Sequence, residues 1–406
     1  MEDHKNSEVN IKNDKNGVCP EDVLTPTLHK AVKDIIKREG YVTHVLNARS
    51  LPQDGANYMT KLVVANIKGK TAEGDKVTDI FVKEILPDDE NGFFLASEFH
   101  SMELFVYREP LRYYKKLQEE AGIPIEDRYN ITKFYEESNS QFIILENLVS
   151  QGYTSVNRMD PITLNFAEQS VKQLAKFHSL AFVLKNKHPD YFDKKIRSLE
   201  FKVDFGDKWK TFIKNIFSAS TQELSSDIRK KTDAFLPIFL ERFPQYYQDK
   251  SVECLCHGDY RANNILLKND DGKITKIIPV DYQAIRYGNP ITDLIYFIFL
   301  GTDQQFRKDH LENIKNLYHD TMARFLKYFD MDVEDYFPRA QFEKEFAAKL
   351  DFGFMTATWL LPFVFAAEDD LPEINGAVDK VDYNVDKRMK YRLEGIVDDF
   401  IKWGYL

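Results

Sequence analysis

The sequence predicts an α+β chain in two lobes: a small antiparallel β lobe over residues 23–147 and a large, mainly helical lobe over residues 148–406, behind a disordered tail at residues 1–22. Three observations carry that expectation. Strand-like runs bounded by glycine-containing turns occupy residues 42–48, 61–67 and 77–85. Helical periodicity dominates the chain from residue 162 onward. A length of 406 residues with 43% hydrophobic content supplies core for two lobes more naturally than for one compact domain.

Composition removes several classes of function. Residues 1–20 are polar and charged with no apolar stretch of the signal-peptide kind, so a cytoplasmic protein is expected. The formal net charge is −10 and no basic stripe occurs, which argues against a nucleic-acid partner. The longest apolar run, 352–367, contains Thr356, Thr358 and Pro362 and is too short to span a bilayer, so it is expected as a buried helix with no membrane role. The three cysteines, Cys19, Cys254 and Cys256, form no metal-ligand pattern and are expected as reduced thiols.

The elements follow from local chemistry. Thr25 as N-cap and Pro26 at the first helical position announce a helix that carries Leu28, Val32, Ile35 and Ile36 on one stripe and stops at Gly40. Three strands follow, turned at 54–57 and between Lys68 and Asp75. A helix is then expected to run unbroken from about residue 94 to 119, and residues 141–145 form an apolar strand. From Ile162 the apolar positions Leu164, Ala167, Val171 and Leu174 recur at helical spacing with His178, which reads as a satisfied core histidine. Residues 191–249 are helical and charged, without a phosphate or metal signature. A final helix bears Met389, Leu393, Ile396, Val397, Phe400 and Trp403 and is capped by Gly404.

The chemistry is concentrated between Leu255 and Gln283. Asp259 and Asn264 stand five residues apart in Cys256-His257-Gly258-Asp259-Tyr260-Arg261-Ala262-Asn263-Asn264, the H-x-D-x-x-x-x-N spacing. A strand over 265–267, a turn over 269–273 and a second strand over 274–280 then deliver Asp281. Phosphoryl transfer needs such a set. One carboxylate accepts the proton of an attacking hydroxyl, while an amide oxygen and a second carboxylate hold the magnesium ions that bridge the phosphates of ATP. His-Gly-Asp alone occurs by chance and Asn-Asn is ordinary turn chemistry, so the selecting feature is agreement of the motif with its flanking strands. Asp293, near the start of an apolar helix, is costly there unless paired, and is expected to bond the backbone of the His257 loop. Asp351-Phe352-Gly353 copies the letters of a metal-binding D-F-G but lies far downstream in an apolar helical context, so it is assigned to packing.

On that reading the first lobe covers a nucleotide. Gly55, Ala56 and Asn57 would bring backbone amides to phosphates, although Gly55 is the turn's only glycine and an ordinary hairpin reads nearly as well. Lys83 on the third strand matches a phosphate-contacting lysine, and an edge-strand surface lysine would look the same in isolation. Of Glu98, Glu103 and Glu109 on the following helix, Glu103 is chosen to pair with Lys83, the alternative being a solvated carboxylate. Glu146 and Leu148 mark the passage between lobes, where backbone groups would meet adenine.

These residues together resemble the ecdysteroid kinase-like proteins of insects, a branch of the choline kinase and aminoglycoside phosphotransferase group within the protein-kinase-like fold. The resemblance covers the chain from about Leu24 onward. It rests on the Gly55-to-Tyr58 turn, Lys83, Glu103 to Tyr107, Glu146-Asn147-Leu148 with Gly152-Tyr153, Leu174 to His178, His257-Gly258-Asp259, Asn263 to Leu266, Val280 to Gln283 and Tyr287 to Pro290 before Asp293. It implies Asp259 as catalytic base, Asn264 and Asp281 as magnesium ligands, Lys83 as a phosphate clamp held by Glu103, and Glu146 and Leu148 as the adenine hinge, with His257 and Asp293 in support. Arg261 departs from the aromatic residue common at its place; charge neutralisation of the phosphoryl group and a local salt bridge are equal readings of it. The implied reaction is ATP- and Mg2+-dependent phosphorylation of a small-molecule hydroxyl by a monomer, foremost the C-22 hydroxyl of an ecdysteroid. Kinases of xenobiotic or plant-derived hydroxyls, a choline or ethanolamine kinase, and a nucleotide-binding pseudokinase are the alternatives. A protein kinase is disfavoured because no segment ending in A-P-E follows Asp281.

Overall fold

Helix α1 begins where the Thr25-Pro26 pair places it, with the Thr25 hydroxyl accepting a hydrogen bond from Leu28 N, and runs Pro26–Arg38. The computed structural model describes residues 23–52, 60–88, 95–200, 203–366 and 385–406. The expected tail at 1–22, Cys19 and the Gly55-Ala56-Asn57 turn lie outside the described residues. Contacts divide the chain into two units, one holding residues up to Asp88 together with Thr132–Gly152, the other Asp89–Ile131 together with Tyr153–Leu406. The residues between Asp89 and Ile131, placed in the first lobe by the sequence reading, fall in the second unit.

The first unit is an antiparallel sheet in the order β1-β2-β3-β4, built from Tyr41–Ser50, Thr60–Thr71, Gly74–Ile85 and Phe142–Glu146. Strands β2 and β3 pair without interruption from Thr60↔Ile85 to Thr71↔Gly74, so the turn between them is tighter than the sequence suggested. Alternation buries Val63, Ala65 and Ile67 of β2 and Ile80 and Val82 of β3 against the Leu28, Val32, Ile35 stripe of α1. Each such side chain contributes on the order of 1.5–3 kcal/mol by leaving water.

The second unit is α+β with helices in the majority. Helices α2 (Ala96–Arg108) and α3 (Pro110–Glu120) replace the single helix expected over 94–119. Pro110 is the physical reason. Its ring and missing N–H end the preceding hydrogen-bond ladder, and Glu109 leaves the helical region at φ −121°, ψ −77°. Tyr107 of α2 meets the Tyr282 ring edge-on at 5.5 Å, and Tyr114 of α3 meets Phe177 at 5.5 Å, which docks both helices onto the body of this unit.

Two small sheets carry the chemistry-bearing segment. Strand β5 (Tyr153–Thr154) pairs with β7 (Ile265–Asp270), which pairs with β8 (Lys273–Pro279); β6 (Cys254–Cys256) pairs with β9 (Arg286–Gly288). Around them stand α4 (Leu164–Lys187), α5 (Asp207–Thr221), α6 (Ser226–Gln248), α7 (Ile291–Gly301), α8 (Gln304–Leu326), α9 (Arg339–Ala348), α10 (Asp351–Phe365) and α11 (Arg388–Lys402). Every residue of α7 is buried, as is nearly all of α10, which is the signature of core helices. Gly353 serves that packing: a Cβ there would lie 2.3 Å from the Phe299 ring of α7. No helix among the described residues is long and apolar enough to cross a membrane.

Candidate active site

The His257 loop connects β6 to β7 and is anchored from below by Asp293. The Asp293 carboxylate accepts His257 N at 2.6 Å and Gly258 N at 3.0 Å, and His178 Nε2 donates to it at 3.1 Å. Tyr318 OH lies 2.7 Å from the other nitrogen of His178. Asp293 sits in the first turn of α7, where the helix dipole favours a negative charge. Burial drives its pKa up, but the His178 hydrogen bond and the nearby His178, Arg286 and His257 more than offset that and hold it below the ordinary aspartate value.

Asp293 is therefore a stability element with a predictable pH signature. Asp293→Asn should lower the unfolding free energy by about 3 kcal/mol, because an amide nitrogen cannot accept from the loop and leaves a buried donor unmet. The folded carboxyl titrates below its unfolded value, so the unfolded chain takes the proton first. The stabilisation is complete above the ordinary aspartate range and is lost as the pH falls through the folded value. Denaturant midpoints at neutral pH and down the acid limb should show the gap between wild type and variant closing on the acid side. Equal midpoints at neutral pH would remove Asp293 as an anchor.

His257 is locked in one tautomer. Its Nε2 faces the Val280 carbonyl at 3.2 Å, an acceptor only, so Nε2 carries the proton and Nδ1 accepts from Asp259 N at 3.4 Å. Burial pushes its pKa down and keeps it neutral. Gly258 has φ 83°, and a Cβ at this position would stand 1.9 Å from the Ala284 carbonyl oxygen.

Asp259 lies beyond these anchors, partly buried, with both oxygens engaged. Tyr296 OH donates to Oδ1 at 2.6 Å and Asn264 Nδ2 donates to Oδ2 at 2.8 Å. Arg261 Nε sits 3.2 Å from Oδ1, so the structure contains the local salt bridge that the sequence left as one of two readings. Asp259 in turn raises the Arg261 pKa, and burial followed by Asp259 raises that of Tyr296. Asn264 also donates to the Asp259 carbonyl at 2.9 Å. Its side-chain nitrogen is thereby spent on Asp259, and its side-chain oxygen Oδ1, a hard donor suited to a divalent cation, accepts no hydrogen bond among the described residues.

Asp281 follows β8. Pairing of Ile265 with Pro279 and the bond from Val280 N to Asn264 O at 2.9 Å hold the strand end against the loop end, which brings Asn264 and Asp281 to neighbouring positions of one hairpin. Asp281 adopts φ 67°, ψ 66°, a left-handed conformation costing on the order of 1 kcal/mol and concentrated at functional positions. Asp259, Asn264 and Asp281, read from the sequence as a set, thus stand on one loop and hairpin. Sequence reading missed Tyr296 and Tyr318, whose hydroxyls hide within apolar or mixed helices.

The remaining candidates stand as follows. Lys83 is buried on β3 in the first unit, opposite Ile143 of β4 and Leu62 of β2. Glu103, on α2 of the second unit, is buried, whereas Glu98 of the same helix is half-buried; Glu109 sits at the helix break and faces Lys195 at 3.6 Å. Glu146 ends β4, where its carboxylate accepts Lys133 N and Gln151 Nε2, and Leu148 is buried. Asp351 is buried against Arg242 at 2.9 Å and the Tyr246 hydroxyl at 2.5 Å, an ion-paired helix start. His178, Cys256 and Asp293 lie close enough to share an ion, yet the carboxylate already accepts three hydrogen bonds and burial pushes the Cys256 thiol up toward its protonated form.

The chain is similar to known proteins. The profile of the ecdysteroid kinase-like family matches residues 54–331. An uncharacterized kinase-like protein of Caenorhabditis elegans is 25% identical over 146 residues, which is 36% of this chain and 36% of that protein, so the match spans about a third of that relative's length. Among solved structures, an aminoglycoside-3'-phosphotransferase of type VIII is 14% identical, covering 82% of this chain and 100% of its own, with a TM-score of 0.34. The GDP complex of aminoglycoside 2'-phosphotransferase-IIIa is 12% identical over 93% of this chain and 99% of its own, with a TM-score of 0.38. A glucosamine kinase is 11% identical over 91% of this chain and 86% of its own, with a TM-score of 0.40.

Proposed function

The chain belongs to the ecdysteroid kinase-like family of small-molecule kinases, and we propose that it transfers the terminal phosphoryl group of ATP to a hydroxyl of an ecdysteroid, at C-22, giving an inactive phosphate ester. The observation that carries this reading is the Asp259 carboxylate, oriented by Tyr296 and Asn264 on a loop clamped by Asp293. Asp259 takes the proton of the attacking alcohol. Tyr296 and Asn264 fix the orientation of the carboxylate, one hydrogen bond to each oxygen. Asn264 and Asp281 offer the oxygen donors that would hold Mg2+, and the ion when bound neutralises phosphate charge. Arg261 tethers Asp259 and adds positive charge beside the transfer site. Lys83, Glu103, Glu146, Leu148 and the Gly55-Ala56-Asn57 turn are assigned to the nucleotide. Lobe limits at 23–147 and 148–406, a cytoplasmic location and a monomeric state belong to the same proposal.

The acceptor is tested by mass spectrometry of reactions containing ATP, magnesium and a panel of alcohols. An ecdysteroid with a free side-chain hydroxyl should gain one phosphate, while choline and ethanolamine should gain none. A substrate with hydrogen in place of the C-22 hydroxyl should give no product, because the nucleophile is gone. Phosphorylated choline with no steroid product would move the protein to the choline-kinase reading, and product from the C-22-deoxy steroid would relocate the target hydroxyl.

A further inference from the structure

A cavity of about 540 Å³ opens within the second unit, lined by none of the residues that build the Asp259 site. Four cations line it: Lys172 and Lys176 from α4, and Arg324 and Lys327 from the end of α8 and the turn after it. One carboxylate lines it, that of Asp127, and the Tyr328 hydroxyl donates to that group at 2.7 Å. In a chain of net charge −10 this is a local inversion of sign.

Helix electrostatics explain half of the cluster. Arg324 and Lys327 stand at a helix C-terminus, where cations complement the dipole. Lys172 and Lys176 do not. They lie in the middle of α4, one turn apart, where like charges oppose each other, and neither ammonium makes a hydrogen bond or salt bridge among the described residues. Burial brings the Lys176 pKa down to about 8, with Asp127 opposing the shift and Lys172 adding to it. A partly dehydrated cation beside a second cation is a pair that an anion relieves. Four positive groups against one carboxylate call for more than one negative charge, which a phosphate monoester carries and a carboxylate or sulfate ester does not. The cavity is far larger than a phosphate group, and the Phe325 and Tyr328 rings, edge-on to each other at 6.2 Å, give it an aromatic wall.

We propose that this cavity binds a small organic phosphate ester, with the dianion held by Lys172, Lys176 and Arg324 and the organic part against Phe325 and Tyr328. Phenyl phosphate is the probe, titrated calorimetrically at pH 7.5 into the full chain saturated with ATP, where the ester is a dianion. One saturable site is expected, weakened by at least about tenfold in the double variant Lys172→Gln/Lys176→Gln and for phenyl sulfate on the wild type. The amine signal of Lys176 should titrate at higher pH in the complex. Circular dichroism and unchanged turnover establish that the double variant is folded. Equal affinity of wild type and double variant would overturn the proposal by placing the ester elsewhere, and no binding to the wild type would overturn it outright. Co-sedimentation with phosphatidylcholine–phosphatidic acid vesicles that depends on the two lysines, without phenyl phosphate binding, would replace it with a lipid headgroup site.

Discussion

Asp259→Asn is expected to lower turnover by about 10²-fold or more while ATP affinity stays within a few-fold, because the change removes the proposed proton acceptor and leaves the residues assigned to the nucleotide in place. The substitution is close to isosteric, and Tyr296 can still donate to the retained oxygen. The other position would set an amide nitrogen against Asn264 Nδ2 and Arg261 Nε, donor against donor. A modest loss of thermal stability should therefore accompany the loss of rate, of about 1–3 kcal/mol for the unmet donors. ADP release gives the turnover and calorimetry the ATP affinity. Near-normal turnover would remove Asp259 from the chemistry, whereas loss of both rate and ATP binding would make it a nucleotide-site residue.

Asp281→Ala is expected to be the more damaging change, lowering turnover by about 10³-fold or more through loss of the proposed metal-binding carboxylate, a donor worth several kcal/mol at a divalent ion. The magnesium dependence of any residual activity should move to higher concentration. Backbone strain adds to the effect, since alanine tolerates the left-handed conformation at φ 67° less well than aspartate does. Asp281→Asn separates the two causes: it accepts that conformation and loses only the charge. If the asparagine variant keeps the wild-type magnesium midpoint, the ion is held elsewhere, whatever the alanine variant does.

Much of this molecule was legible in the sequence wherever a local rule had one solution. The Thr25-Pro26 start, the alternation of β2 and β3, the hairpin ending at Asp281 and the packing role of Asp351 each follow from chemistry within a few residues. Asp293 was legible for a different reason: a carboxylate among Leu294, Ile295 and Phe297 has to be paired, and the preceding strand-and-loop segment carries unpaired amides. The break at Pro110 is written in the sequence as well, but apolar periodicity on both sides masks the one residue that forbids a continuous ladder. What could not be read were side chains acting at long range. Tyr296 looks like core filler within α7 and Tyr318 like an ordinary helix residue of α8, until the packing of α4, α7 and α8 brings their hydroxyls to Asp259 and His178. Lys172 and Lys176 likewise carry no local signal; only the packing of α4 beside the end of α8 sets them on one cavity with Arg324 and Lys327.

The contact beneath Gly258 bears on how the acceptor range of this enzyme can be re-engineered. A mutagenesis library aimed at new acceptors would naturally include the residue beside the proposed catalytic carboxylate, Asp259. Here any side chain, however small, would collide with the Ala284 carbonyl, a backbone atom that cannot rotate aside. Saturation of position 258 is wasted coverage, and every codon but glycine should drop out of a selected pool regardless of the alcohol used for selection. Diversity belongs in the side chains around the loop, and the loop itself is best inherited intact.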